Sequence, residues 1–579
     1  MVQNQEGKIY AGVRSDTQNP TEAEETPKRP PSPDSGASSH YNNDIHSTRN
    51  VTSTRDGDKI NPTCRNEEAI HDREDAFQQN QPTEYAYEEK PYSVFTDHEK
   101  RIIVLCAGLC AFFSPVSGQI YFPALNEIAR DLDVSLDLVN LSITSYLIMQ
   151  GLAPAFIASF SDSSGRRPAY LVCFTVYLAA NLGLALQSNY AALMVLRCLQ
   201  SAGSSATVAL GTATVADLVT SQERGVYVSY MSIASMAGPA FGPIIGGLLS
   251  HYLGWHSIFW FLFIAAAVIL LLTIFLLPET CRKVVDDGSV PPPKWRRTYL
   301  NARVERRLMR DGQAIDYGRR DEMARSRHIR FPNPLNTVQI LFTREAGFAL
   351  CYIGLVCSSY YAVIALIPSQ FGSTYGFNEI QIALCFLPFG AGSVAARLVR
   401  GRMIDSRFRK HAKRLGIDMD RKRQMDLINF PVERVRIEVA IPFLMLGVSC
   451  GIGFGWMVQY GVNLAGPLIF LFVIGFSVSG SVNTFSVLLV DIFPGRAGAA
   501  SAANNLCRCW LGAGATSGVL PMINKIGVGW TTTFFGLLPV IASPILWYVM
   551  ANGPKWRQAK RKKQEQEKAK KLRNDPETA

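Results

Sequence analysis

The most chemically loaded group in this chain is one guanidinium. Arg508 sits inside an apolar run, 497–522, with Asn504 four residues before it and Asn505 three. Helical spacing places the three side chains on one face. A guanidinium in hydrocarbon costs about 3 kcal/mol on insertion scales. A chain that keeps one there points to a water-filled cavity, in which Arg508 would hold a carboxylate through paired N–H bonds. The rival reading is structural, with Arg508 bonded to carbonyls at a helix end or kink.

Further polar groups lie within the apolar runs. They are Gln119, Tyr146, Gln150, Arg197, Gln200, Tyr360, Tyr361 and Asn483. Tyr146 and Gln150 lie one turn apart and share a face, as do Asn504 and Arg508. Arg197 and Gln200 are likewise one turn apart. For Arg197, anion binding and help with proton movement stand beside snorkelling to the interface. For each Tyr or Asn, packing or interhelical hydrogen bonding is the bland alternative.

These side chains must be held by membrane-crossing helices. Twelve apolar runs recur, at 102–122, 139–160, 169–187, 191–216, 227–250, 256–277, 344–368, 379–399, 437–459, 465–490, 497–522 and 530–551. A run of about 20 residues spans the roughly 30 Å of hydrocarbon. The long gap after the sixth divides them six and six. The expected fold class is an all-α membrane protein of two pseudo-symmetric six-helix bundles. The expected domains are a disordered tail at 1–95, a bundle at 96–277, a basic linker at 278–343, a second bundle at 344–551 with a basic insertion at 400–436, and a basic tail at 552–579. The tail at 1–95 is poor in aliphatics and cannot bury enough surface to offset chain entropy. Lys and Arg crowd into one set of loops and the C-terminal tail. That asymmetry places both termini in the cytoplasm. The linker stretch RRTYLNARVERRLMR reads as a helix on the inner surface that ties the halves together and meets anionic headgroups.

An internal repeat supports the duplication. Asp162 is followed by Arg166 and Arg167 after span 2, and Asp405 by Arg409 after span 8. Asp217 ends span 4 with Arg224 beyond it; Asp491 ends span 10 with Arg496 beyond it. The tight joint SDSSGRRP, with Gly165 at its turn, reads as an inner latch between bundles, in which Arg166 and Arg167 reach Asp217 or helix-end carbonyls. Span 5 carries GPAFGPIIGG. Gly238, Gly242, Gly246 and Gly247 permit close helix contact, while Pro239 and Pro243 bend the helix. A kinked packing helix is the plain alternative.

Other classes find little support. HExxH, P-loop and GxSxG patterns are absent, as is any metal-spaced Cys/His cluster. An enzyme is therefore not expected, nor a cofactor or metal. Net charge is +11, but the basic residues flank membrane spans, so nucleic acid is not an expected partner. The partners expected are a small molecule and the bilayer, with the protein acting as a monomer. Most of the 12 Cys fall in apolar runs and read as packing residues. The amino end, MVQNQEGKIYAGVRSDTQNP, has no apolar core for a secretory signal.

SDSSGRRP, the span-4 stretch LRCLQSAGSSA and GPAFGPIIGG together resemble the major facilitator superfamily, over about 92–551. IYFPALNEIARDLDVS, YLIMQGLAPAF, NNLCRCWLGAGA and FPVERVR are similar to the fungal quinidine-resistance group of twelve-span drug:proton antiporters, and equally to the citrate exporters of the same branch. The resemblance implies a proton-driven exporter of drugs, metabolites or organic acids at the plasma membrane, working by alternating access. An uptake carrier and a carrier-like nutrient sensor are the alternatives. The resemblance also implies that spans 1, 4, 7 and 10 line the central path. This chain departs from the family pattern at Ser163, where a basic residue is usual, and lacks a mid-span carboxylate in its first half.

Overall fold

The computed structural model describes residues 92–574 except 221–222, 294–295, 313–316, 326–334, 416–430 and 493–496. All belong to one compact unit, Glu89–Ala579. The tail expected at 1–95 lies almost wholly outside the described residues, and so does Arg496.

The helices start and stop where local chemistry dictates. α1 (Asp97–Gln119) opens on a capping box: Thr96 accepts from the Glu99 N–H while Glu99 accepts from the Thr96 N–H. α2 (Leu136–Ser164) is capped by Ser135 and ends at Gly165. α3 (Arg166–Leu186) follows at once. α4 (Tyr190–Leu218) is capped by Asn189 and bends at Ala206. α5 (Arg224–Leu253) and α6 (His256–Leu276) complete the first half.

The second half repeats the plan with α7 (Arg344–Tyr375), α8 (Glu379–Arg414), α9 (Val432–Gln459) and α10 (Ala465–Ile492). Ten described segments are long and apolar enough to cross a membrane, and the last of them, Ala500–Ala559, is 60 residues long. At 1.5 Å per residue it would reach about 90 Å, far beyond one bilayer. Gly527, with φ 83°, breaks it into α11 (497–526) and α12 (528–559, with a turn at 542–543). With the apolar 30-residue α5, the described crossings number twelve.

Each half packs mainly within itself: α1 against α5, α3 against α4 and α6, α7 against α11, and α9 against α10. Two pairs form the seam between halves, α2 with α11 and α5 with α8. Hydrogen bonds across the seam run from the middle to the side away from the termini. Asn126 donates to Pro368 O (3.0 Å), Thr144 meets Thr516 (3.1 Å) and His251 meets Glu379 (3.2 Å).

The glycines of span 5 are explained by packing. A Cβ at Gly238 would stand 2.9 Å from the Pro115 side chain, and one at Gly246 would strike Ile120 O. Gly247 faces the other way and lets Glu379 and Ala383 of α8 approach. So α5 is pressed between α1 and the second half, with Pro239 and Pro243 inside it.

The linker forms an amphipathic helix, Tyr299–Arg310. Its apolar face, Leu300, Val304 and Leu308, is buried. Arg307 pairs with Glu99 (3.1 Å) and donates to Val94 O (2.6 Å). The described contacts therefore pin this helix to the first half.

Candidate functional site

The site is built at the α2–α11 seam. A Cβ at Gly151 would lie 3.1–3.3 Å from Trp510, Cys509 and Leu506, so the two helices touch there. Asn505 Nδ2 donates to Gln150 O (2.7 Å), and Arg508 Nη2 donates to Asn505 Oδ1 (2.7 Å). Arg508 Nε is enclosed with no partner. Tyr361, Cys357 and Cys509 stand near the guanidinium, and among the described residues no carboxylate forms an ion pair with it. Tyr361 lies on Gly512 of α11, where any Cβ would collide with its ring. Tyr360 packs on Tyr361 at 5.0 Å and stacks on Phe389 at 5.2 Å, with Gln119 of α1 at its hydroxyl.

The structure thus brings together Arg508, Asn505, Gln150, Tyr360, Tyr361 and Gln119 from α1, α2, α7 and α11. Two expected members turn elsewhere. Asn504 donates to Ser486 (3.0 Å) on α10, and Asn483 donates back to Ser479 O (2.7 Å) of its own helix. Both satisfy helix packing because a hydroxyl or carbonyl lies within reach.

Arg197, Gln200 and Tyr146 form a second cluster, sealed within the first half rather than lining the cavity. Arg197 is 0% exposed. Its guanidinium lies 4.2 Å from the Tyr121 ring and 4.3 Å from the Tyr146 ring. It donates to Gln200 Oε1 (2.5 Å), and Gln200 donates to Asn181 Oδ1 (2.7 Å). Ring faces and amides stand where an acid would, while Nε and Nη2 stay enclosed without a partner.

The terminus-side joint is ordered by Arg166. It pairs with Asp162 (2.6 Å) and Asp217 (2.8 Å), while Arg167 donates to Ile274 O (2.8 Å) at the end of α6. All these partners belong to the first half. The described network therefore knits α2, α3, α4 and α6 instead of bridging the bundles. Arg224 forms no ion pair among the described residues, and its Nε is enclosed without a partner.

Glu279, just beyond α6, completes the joint and was missed in the sequence. It is 0% exposed, and its Oε1 accepts from the N–H groups of Arg166 (2.7 Å), Thr280 and Cys281 (both 3.1 Å). A carboxylate on the α3 N-terminus meets the positive end of the helix dipole. Burial nevertheless pushes its carboxyl above the ordinary range. Gly165, with φ 110°, leaves the space that Glu279 fills. The available signal was an acid directly after a span in an otherwise basic loop.

The second half departs from the repeat. Asp405 and Arg409 are both exposed, joined only through Arg409 Nε to the Asp405 carbonyl (3.3 Å). The ion pairs form one layer further in. Asp491 pairs with Arg436 (3.2 Å), and the buried Glu433 pairs with Arg557 (2.7 Å) of α12. The helix carrying Asp405 continues as a helix past it, so no tight turn directs that carboxylate inward.

Residues 107–517 match the family model of the Major Facilitator Superfamily. The chain belongs to that superfamily. It is 45% identical to the MFS-type transporter tstD of Talaromyces stipitatus, over 85% of this chain and 89% of that one. It is 43% identical to the MFS-type transporter phiD of a fungal species (83% and 72% covered) and 32% identical to Citrate exporter 1 of Aspergillus niger (82% and 90%). In fold it resembles the xylose transporter XylE from E. coli in a partially occluded inward open conformation, with TM-score 0.54, 14% identity, and 78% and 98% of the chains covered. This facilitator is thus a multi-pass membrane transporter of small molecules and not an enzyme.

Proposed function

We propose that this facilitator exports small organic acids, or metabolites carrying a carboxylate, by rocking its halves about the α2–α11 and α5–α8 seams. The proton gradient supplies the energy, as resemblance to the antiporter branch implies. The plasma membrane is the proposed location, with both termini cytoplasmic by the distribution of basic loops.

The observation that carries the reading is the Arg508 guanidinium. It sits at the seam, tied to one amide oxygen, with an enclosed and unpartnered Nε. An anionic cargo would supply the missing acceptor and bring a charge-assisted bond. Because Asn505 also holds the Gln150 carbonyl, cargo bound at Arg508 acts on both halves at once. The similarity to a protein named as a citrate exporter supports an acidic cargo.

The test is transport by purified protein in liposomes, loaded with citrate and with a neutral solute as control. Arg508→Gln should abolish acid flux, while the protein still inserts and elutes as a single species. Unchanged citrate flux in that variant would remove the basis for an anionic cargo.

A further inference from the structure

We infer that an apolar cavity in the second half receives the hydrocarbon arm of the cargo, so that the preferred substrates are amphipathic anions with a short apolar chain. The inference rests on the reading of Arg508 as the anion-holding group. It adds a second subsite to it.

The cavity lies among α7, α9, α10 and α12, with Val519 of α11 at its edge. Its volume is about 50 Å³. Tyr360, Phe443, Gly447, Gly451, Ser477 and Phe535 are among its walls. Tyr360 is the link to the anion site. One side of it borders the cavity; the other packs at 5.0 Å on Tyr361, which stands beside Arg508. The tyrosine pair thus connects the surroundings of Arg508 to the wall of this void.

Three features mark the void as a receptacle rather than a packing defect. A Cβ at Gly451 would meet no atom within 4 Å, although the residue is buried. Bundle interiors are normally filled to crystal-like density, and empty space there forfeits dispersion contacts. The hydroxyls around it are mostly spent on nearby backbone: Ser481 on Ser477 O (2.9 Å), Thr531 on Gly527 O (2.7 Å) and Thr532 on Gly529 O (3.0 Å). Ser477 is the exception. It is 1% exposed, and its Oγ has no partner. A chain entering the void would find apolar walls and one hydroxyl free for an ether or carbonyl oxygen. A fully polar acid such as citrate would leave the void empty.

A homologous series of alkanesulfonates, methane- to hexane-, separates the two subsites. Sulfonates stay ionised and keep the head group constant. Binding is measured by calorimetry on the full chain in nanodiscs of fixed lipid composition. For the unmodified protein, affinity should rise about fourfold per methylene until the void is filled. Gly451→Leu, which projects into open space, should flatten that slope and leave methanesulfonate binding unchanged. Arg508→Gln should weaken every member by one common factor and keep the slope. A slope in Gly451→Leu equal to that of the unmodified protein would overturn the proposal. So would a flat series in the unmodified protein, with a co-purifying lipid lost on Gly451→Leu; the occupant would then be a lipid chain. If Arg508→Gln leaves methanesulfonate binding intact while the slope persists, the anion reading fails and the apolar subsite stands.

Discussion

Arg197 and Arg508 are both arginines without a carboxylate partner inside membrane helices, yet their surroundings differ in kind. Arg197 lies between two tyrosine rings and a relay of amides, all from one half. Arg508 stands where the halves meet, with one amide oxygen and an enclosed, empty Nε. Both keep enclosed guanidinium nitrogens without an acceptor, Nε and Nη2 of Arg197 and Nε of Arg508. What separates them is place: the rings and amides around Arg197 come from one half, whereas the bond that holds Arg508 continues across the seam through Asn505 to Gln150 O. A buried charge is therefore tied to motion between the halves by where its neighbours come from, not by its depth.

The largest expected effect breaks this comparison from the Arg508 side. A hydrogen bond to a charged group is worth about 1.5–3 kcal/mol, so Arg508→Gln should lower kcat/KM for acids by at least tenfold. Arg508→Lys keeps the charge but loses the fork, and should recover only part of it. Thermal stability of both variants should stay close to that of the unmodified protein. Liposome flux and a melting curve on the same preparation check both statements.

Arg197 should behave in the opposite way. Arg197→Ala opens a void between the two rings and leaves Gln200 Oε1 without its donor, at about 3 kcal/mol in stability. Arg197→Met refills the space and removes a desolvated charge, so it should restore most of the melting temperature. The KM for acids should change little in either. A raised KM with an unchanged melting temperature would place Arg197 in the cargo path and end the contrast.

The Gly165–Glu279 contact yields a smaller effect and a pH signature. Gly165→Ala forces a side chain into positive φ and against the carboxyl, about 1–3 kcal/mol in stability. Glu279 is raised by burial, so its sign differs from that of a salt-bridged acid. Relative to the unfolded chain, and against the three N–H groups that favour the carboxylate, burial favours the protonated form. Its contribution is fully present below the ordinary carboxylate range and is lost as pH rises through the raised value. Melting temperature should therefore fall as pH climbs above the ordinary glutamate range, and Glu279→Gln should flatten that decline.

What could be read from residues alone follows the physics of each signal. Hydrocarbon thickness sets the length of every span, so all twelve crossings were visible as apolar runs. Arg166 could be set against Asp217 because both fall at helix ends on the same side; its bond to Asp162, four residues back, comes from its own joint. Glu279 was not visible, since the Arg166 N–H that ties it to the start of α3 lies 113 residues away in sequence. The burial of Arg197 was hidden for the same reason: Tyr121 and Tyr146, whose rings enclose it, come from other parts of the chain. Asn504, Asn505 and Arg508 were grouped by helical face, and Asn504 is drawn off by Ser486 of α10, which periodicity cannot show.

The smallest effect tests the limits of the internal repeat. The spacing of Asp405 and Arg409 copies that of Asp162 and Arg166, but both copies stand in solvent. Exposed pairs contribute about 0–1 kcal/mol, so Asp405→Asn and Arg409→Gln should each leave stability and flux unchanged within error. Asp491→Asn should differ, because Arg436 is only 14% exposed along its side chain and loses its carboxylate partner. That variant should lower the melting temperature visibly, while its counterpart at 405 does not. Equal effects at 405 and 491 would mean that the duplicated spacing, and not the packing around it, decides which charges matter.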